Sequence, residues 1–97
     1  MRILGIDPGT SLIGYGIIDA ENGKYTPVHF GDFKTRINTR NVDRVRGVFD
    51  FFDKSIKKYQ PDKVALESLF FFKNAKTVVK VSEIRGVLLY AAAKNGV

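Results

Sequence analysis

The hydrophobic spacing predicts an α/β chain built on a sheet of mixed direction. Apolar runs of strand length fill residues 2–33, a period of three to four takes over at residues 41–59, and a short apolar run at 63–67 leads into a second helical stretch. Hairpin-linked strands followed by a strand reached through a helix give antiparallel and parallel pairings in one sheet.

Residues 2–7 are almost wholly apolar, as expected of a strand covered on both faces, and end in Asp7. Pro8 and Gly9 turn the chain, and residues 14–19 form a second strand. Asn22-Gly23 between two apolar runs is a strong hairpin signal. The third strand covers 25–33, with Val28 and Phe30 on one face and His29 and Gly31 on the other. Pro27 has no N–H for a ladder, so this strand belongs at a sheet edge. Residues 34–39 lack a period and read as a loop.

Val42, Val45, Phe49, Phe52, Ile56 and Tyr59 then mark one stripe of a helix over 41–59, with Asn38, Thr39 or Asn41 to cap it and Gln60-Pro61 to stop it. Its far face, with Arg44, Asp50, Lys54 and Lys57, is expected in solvent. Residues 63–67 read as a short buried strand closed by Glu67. A loop with Phe70, Phe71 and Phe72 follows, then a helix from about Asn74 to Lys94, stopped at Asn95-Gly96. Nothing is repeated, and no linker divides the chain. One side of the sheet is left short of cover, so the chain reads as a fragment or as one that completes itself with a partner molecule.

With 97 residues the chain forms one small domain, and without cysteine it has neither disulfides nor a thiolate metal site. His29 is the single histidine and reads as structural or exposed; a metal here would need carboxylates, which favours Mg²⁺ or Mn²⁺. No apolar run nears the roughly 20 residues of a membrane span, and the N-terminus lacks signal-peptide grammar, so a cytoplasmic protein is expected. The net charge of +6 suits a polyanionic partner.

Asp7 and Glu67 form the sharpest candidate pair. Each ends an apolar strand, and if the crossover sets the fourth strand parallel and adjacent to the first, both carboxylates reach the same sheet end, where they suit divalent cations and phosphoryl transfer. The competing reading makes Asp7 a turn cap and Glu67 an exposed strand end. Gly9, Thr10 and Ser11 offer a backbone nest or a simple turn, and no P-loop pattern exists. Basic residues gather at Lys34, Arg36, Arg40, Arg44 and Arg46, at Lys54, Lys57, Lys58 and Lys63, and at Lys73, Lys76, Lys80 and Arg85. The last group flanks the three phenylalanines, pairing phosphate-neutralising cations with rings on which bases stack. Arg85 suits a phosphate clamp or a buried ion pair equally.

Gly5-Ile6-Asp7-Pro8-Gly9 with Gly14-Tyr15-Gly16, then Glu67, Phe70, Lys73-Asn74-Ala75 and Arg85-Gly86, resemble the motifs of the RuvC-type Holliday junction resolvases in order and interval. The resemblance implies a ribonuclease-H-like fold with flanking helices and a homodimer that cuts opposite strands of four-way junction DNA in recombination and repair. It implies divalent metal on Asp7 and Glu67 and Phe70 at the junction centre; with the basic clusters, nucleic-acid contacts are expected at Lys73, Asn74, Lys76, Lys80, Arg85, Arg36 and Arg40. It also implies dimerisation through the last helix, with an apolar face of Val78, Val81 and Leu88, and possible branch-migration helicase partners. Family members carry two further carboxylates nearer their C-terminus, so residues 1–97 are expected to be the N-terminal portion of the nuclease domain, truncated after the second helix and catalytically incomplete. The alternatives are a RuvC-like RNA-processing nuclease, a non-catalytic DNA-binding or dimerisation module, and an actin-like ATP-binding domain to which Gly5, Asp7, Gly9 and Thr10 would also fit.

Overall fold

The computed structural model describes residues 1–36, 38–67 and 74–97. Its elements run β1 (Arg2–Asp7), β2 (Leu12–Glu21), β3 (Lys24–Lys34), α1 (Asn41–Tyr59), β4 (Lys63–Leu66) and α2 (Ala75–Lys94). The sheet order is β3-β2-β1-β4, with β1 antiparallel to β2 and parallel to β4. Asn22 and Gly23 both take positive φ, 51° and 76°, and form a two-residue hairpin whose twist matches its strands. Pro27 sits on the outermost strand, where its missing N–H costs least. A register shift beside Ile17 and Ile18 leaves Val28 as an extra residue opposite that pair.

Alternation along β1 divides the sheet into two unlike faces. Leu4 and Ile6 point inward with Ile13 and Ile17 of β2, and Val48, Phe52 and Ile56 of α1 and Ile84, Leu88, Ala91 and Ala92 of α2 close over them. Both helices therefore cover one face. The opposite face carries Ile3, Gly5, Asp7, Gly14, Gly16, Ile18, Phe30 and Asp32, by the register of the ladders.

Several expectations change accordingly. β1 is covered on one face, and β4 is an exposed-edge strand in which Lys63 and Ala65 are exposed, because helices reach only the other side. The inward stripe of α1 is centred on Val48, Phe52 and Ile56, while Val42 is 60% exposed. Arg40 occupies the N-cap of α1 without a side-chain cap bond, so none of the three candidate capping residues serves. Gln60 ends α1 in the left-handed region at φ 50°. Asn74 caps α2, its side chain accepting from the Lys76 and Thr77 N–H groups. Val81 and Leu88, expected on a dimer face, are buried in the chain's own core, and Val78 is half-buried.

Candidate active site

The site begins with a strand register. Ile6 pairs with Leu66 across the parallel β1–β4 ladder, and the Glu67 N–H donates to the Ile6 carbonyl at 3.1 Å. The next residue on each strand is a carboxylate, and alternation turns Asp7 outward, onto the face without helices. The neighbouring Asp7 carboxylate raises the titration of Glu67 above its ordinary range, first by hydrogen bonding to it, then by its charge, with lost hydration the smaller cause. Two acids in contact are what a divalent cation would relieve.

Glycine clears the ground around the pair. Asp7 lies opposite Gly14, and Gly5 opposite Gly16, where the Phe30 ring lies over the strand, so the space without a side chain is the one at Gly14 beside Asp7. A Cβ at Gly14 would meet nothing within 4 Å, whereas one at Gly9 would collide with the Leu12 carbonyl. Gly9 is thus required by the turn that follows Asp7, and Gly14 keeps the space beside it open. Asp32 shares this row of the sheet through its pairing with Gly14, but two strand spacings of about 4.8 Å separate it from Asp7. Among the described residues no three His, Cys, Asp or Glu side chains converge on one point. Asp7 and Glu67 are therefore an oxygen pair that fits Mg²⁺ or Mn²⁺ as part of a ligand set.

Comparison with known proteins supplies the deciding observation. The family model for crossover junction endodeoxyribonuclease RuvC matches residues 3–97. The chain belongs to the RuvC family. It is 46% identical to the RuvC of Fusobacterium nucleatum over 97 residues, all of this chain and 51% of that protein, and 39% identical to that of Caldanaerobacter subterraneus, covering 59% of it. The chain thus spans about half to three fifths of these curated relatives. The solved structure of T. thermophilus RuvC in complex with Holliday junction substrate superimposes with a TM-score of 0.94 at 28% identity, over the whole chain and 62% of its counterpart. The fold is therefore that of RuvC, ribonuclease-H-like. A likeness to the Aquifex aeolicus PPX-GPPA enzyme, TM-score 0.59 at 14% identity, is one of fold alone.

The other site residues suggested by the RuvC resemblance fall in several settings. Phe70 and Lys73 lie outside the described residues. Lys76 and Lys80 are exposed on the first turns of α2. Asn74 is occupied as the α2 cap. Arg36 is exposed, and Arg40 donates to Asp43 at 3.0 Å. Arg85 is half-buried, its Nε shielded from solvent without a hydrogen-bond partner, and no ion pair reaches it among the described residues. His29 is structural, sharing a 3.0 Å hydrogen bond with the Tyr15 hydroxyl and stacking on Tyr59.

Arg44 departs most from expectation. Assigned by sequence to the solvated face of α1, it is half-buried near α2, and its Nε also lacks a partner among the described residues. Helical periodicity gives a residue's angular position but not where a second helix will lie, so nothing in the sequence singled it out.

Proposed function

We propose that this chain supplies the carboxylate pair and part of the DNA-binding surface of a structure-specific endonuclease that resolves four-way DNA junctions in recombination and repair. The placement of Asp7 and Glu67 at neighbouring parallel strand ends, in a chain of the RuvC family, carries the reading. These carboxylates would hold Mg²⁺ or Mn²⁺, which when bound supplies charge neutralisation and an activated water for in-line attack on phosphorus. The residues' own part is to fix two oxygen donors at neighbouring strand ends and to leave the space at Gly14 open to a sugar–phosphate backbone. Lys76, Lys80, Arg36 and Arg40 neutralise phosphates, with Phe70, Lys73, Asn74 and Arg85 assigned by resemblance.

The nuclease acts as a homodimer in this reading, which pairs two sites with the two strands to be cut. The exposed apolar residues of α2, Val79 at 58%, Leu89 at 50% and Tyr90 at 61%, replace Val81 and Leu88 as the surface for that contact. In this reading residues 1–97 serve as the N-terminal portion of the nuclease domain, which is supported by their spanning only part of the curated relatives' length. A second reading, a DNA-binding module without cleavage for these residues alone, is favoured because among the described residues no third His, Cys, Asp or Glu joins Asp7 and Glu67, where a two-metal site needs more oxygen donors.

The test compares a synthetic four-way junction, a linear duplex of the same sequence and a structured RNA in mobility shifts without divalent metal, followed by Mg²⁺ addition. Preference for the junction supports the proposal. Preference for the RNA moves the assignment to RNA processing, and equal affinity for all three removes structure specificity.

A further inference from the structure

β3 carries two large rings on the sheet face that the helices do not cover, Phe30 at 62% exposed and Tyr25 at 71%. All ring pairs among the described residues lie on the helix side of the sheet, and neither of these two belongs to one. The Phe30 ring rests instead on bare backbone. A Cβ at Gly16, its partner across the ladder, would come within 2.9 to 3.0 Å of two ring carbons. Gly16 thus seats the ring over β2 and leaves the remainder of it to solvent.

The two rings stand in line along the strand. Phe30 pairs with Gly16 and Tyr25 with Ala20, so four residues of β2, about 13 Å, separate them. The line begins one row from the carboxylates, since Gly5 and Gly16 pair beside Asp7 and Gly14. Beyond that row the exposed Lys34 lies on the same side of β3, opposite Leu12, and Asp32 stands between it and Phe30. A carboxylate there repels phosphate, so what a nucleic-acid strand can bring against Phe30 is an uncharged base, with its backbone kept toward solvent and Lys34. Exposed rings on an open sheet face are what unpaired bases stack on, and a base inside a duplex has no free face to give them.

We propose that Phe30 and Tyr25 form a stacking track on β3 for unpaired bases of the nucleic acid, with Lys34 at the end nearer the carboxylates. The proposal rests on the nucleic-acid reading above and adds the form of strand that this face takes, open bases in place of paired ones. Stacking tolerates any base, so the track selects single-stranded over paired DNA without reading sequence.

The probe is a fluorescein-labelled oligothymidylate, free or annealed to oligoadenylate, titrated against the full-length protein without divalent metal over a range of salt concentrations. Tyr25→Ala combined with Phe30→Ala should weaken binding of the free strand about tenfold or more, whereas Phe30→Tyr, which keeps a ring, should bind it like the parent. The slope of log affinity against log salt should stay as it is, because no cation is removed. Duplex affinity should change in neither variant, and Val42→Ala, at an exposed apolar position of α1, should alter nothing. Unfolding temperatures are measured alongside. Parent-like affinity for the free strand in the double variant would overturn the track and leave the nucleic-acid reading intact; with a fall in unfolding temperature as well, it would give this face to another part of the protein. Equal losses on free strand and duplex would overturn stacking. Failure of the unaltered protein to bind either probe or a four-way junction would overturn both readings.

Discussion

Asp7 and Glu67 are held together by backbone geometry, at a cost to the fold when both are ionised. The raised titration of Glu67 means that its charged form is disfavoured in the folded state. The penalty is absent below its ordinary value of 4.5 and develops as pH rises through the shifted one. Asp7→Asn removes the main cause. In EDTA at neutral pH the variant should therefore unfold at the same or a higher temperature than the parent, with the difference shrinking below about pH 4.5. It should also lose the upward shift that Mg²⁺ gives the parent. A large loss of thermal stability would instead make Asp7 a structural cap. This pair was legible in the sequence because each acid ends an apolar run and the crossover rule makes those runs parallel neighbours. Arg44 was not, since its setting depends on where α2 packs, which no local pattern in α1 encodes.

At the scale of elements, α1 and α2 are joined at their C-terminal ends by Asp53. Its carboxylate accepts from the Asn95 amide at 2.8 Å and from Lys57 at 3.0 Å, with Lys94 at 3.5 Å. These partners, Asn95 first, hold it at about 2, below its ordinary 3.8. A lowered acid stabilises the fold above its unfolded value, and that contribution drains away as pH falls from 3.8 toward about 2. Asp53→Asn should flatten the dependence of unfolding temperature on pH across that window; an unchanged profile would mean that the cluster contributes nothing. Between α1 and the sheet Phe52 is fully buried, meeting Tyr15, Phe33 and Phe51 edge-on. Phe52→Ala should cost about 3–5 kcal/mol in urea unfolding, and a loss under about 1 kcal/mol would contradict this packing.

Element identities were readable throughout, because period changes and the Asn22-Gly23, Gln60-Pro61 and Asn74 signals are local. The capping of α1 and the exposure of β4 were not. The first depends on φ and ψ at Arg40 rather than on a preferred capping residue, and the second on which sheet face the helices reach.

Over the whole molecule, two helices cover one face of a four-stranded sheet, and the carboxylates stand on the other. The net charge of +6 gives the chain a field that draws in polyanions, while Asp7, Glu67 and Asp32 mark out one acidic row on the open face. Such a division suits the proposed function, in which basic residues would collect the backbone and the acidic site would receive the phosphate to be cut. Composition showed the charge and the ends of two apolar runs showed the Asp7–Glu67 pair, whereas the place of Asp32 in the same row came from the strand register.

The role proposed for Asp7 and Glu67 is in junction cleavage and not in junction binding. Its most direct measurement is Mg²⁺-dependent cutting of a labelled four-way junction by the full-length protein, beside its Asp7→Asn and Glu67→Gln variants, with junction affinity measured in the same samples. The account predicts paired cuts by the unaltered protein and none by either variant, with affinity in EDTA retained or increased as negative charge is removed. Cutting that survives both substitutions, or affinity lost in step with cutting, would contradict it.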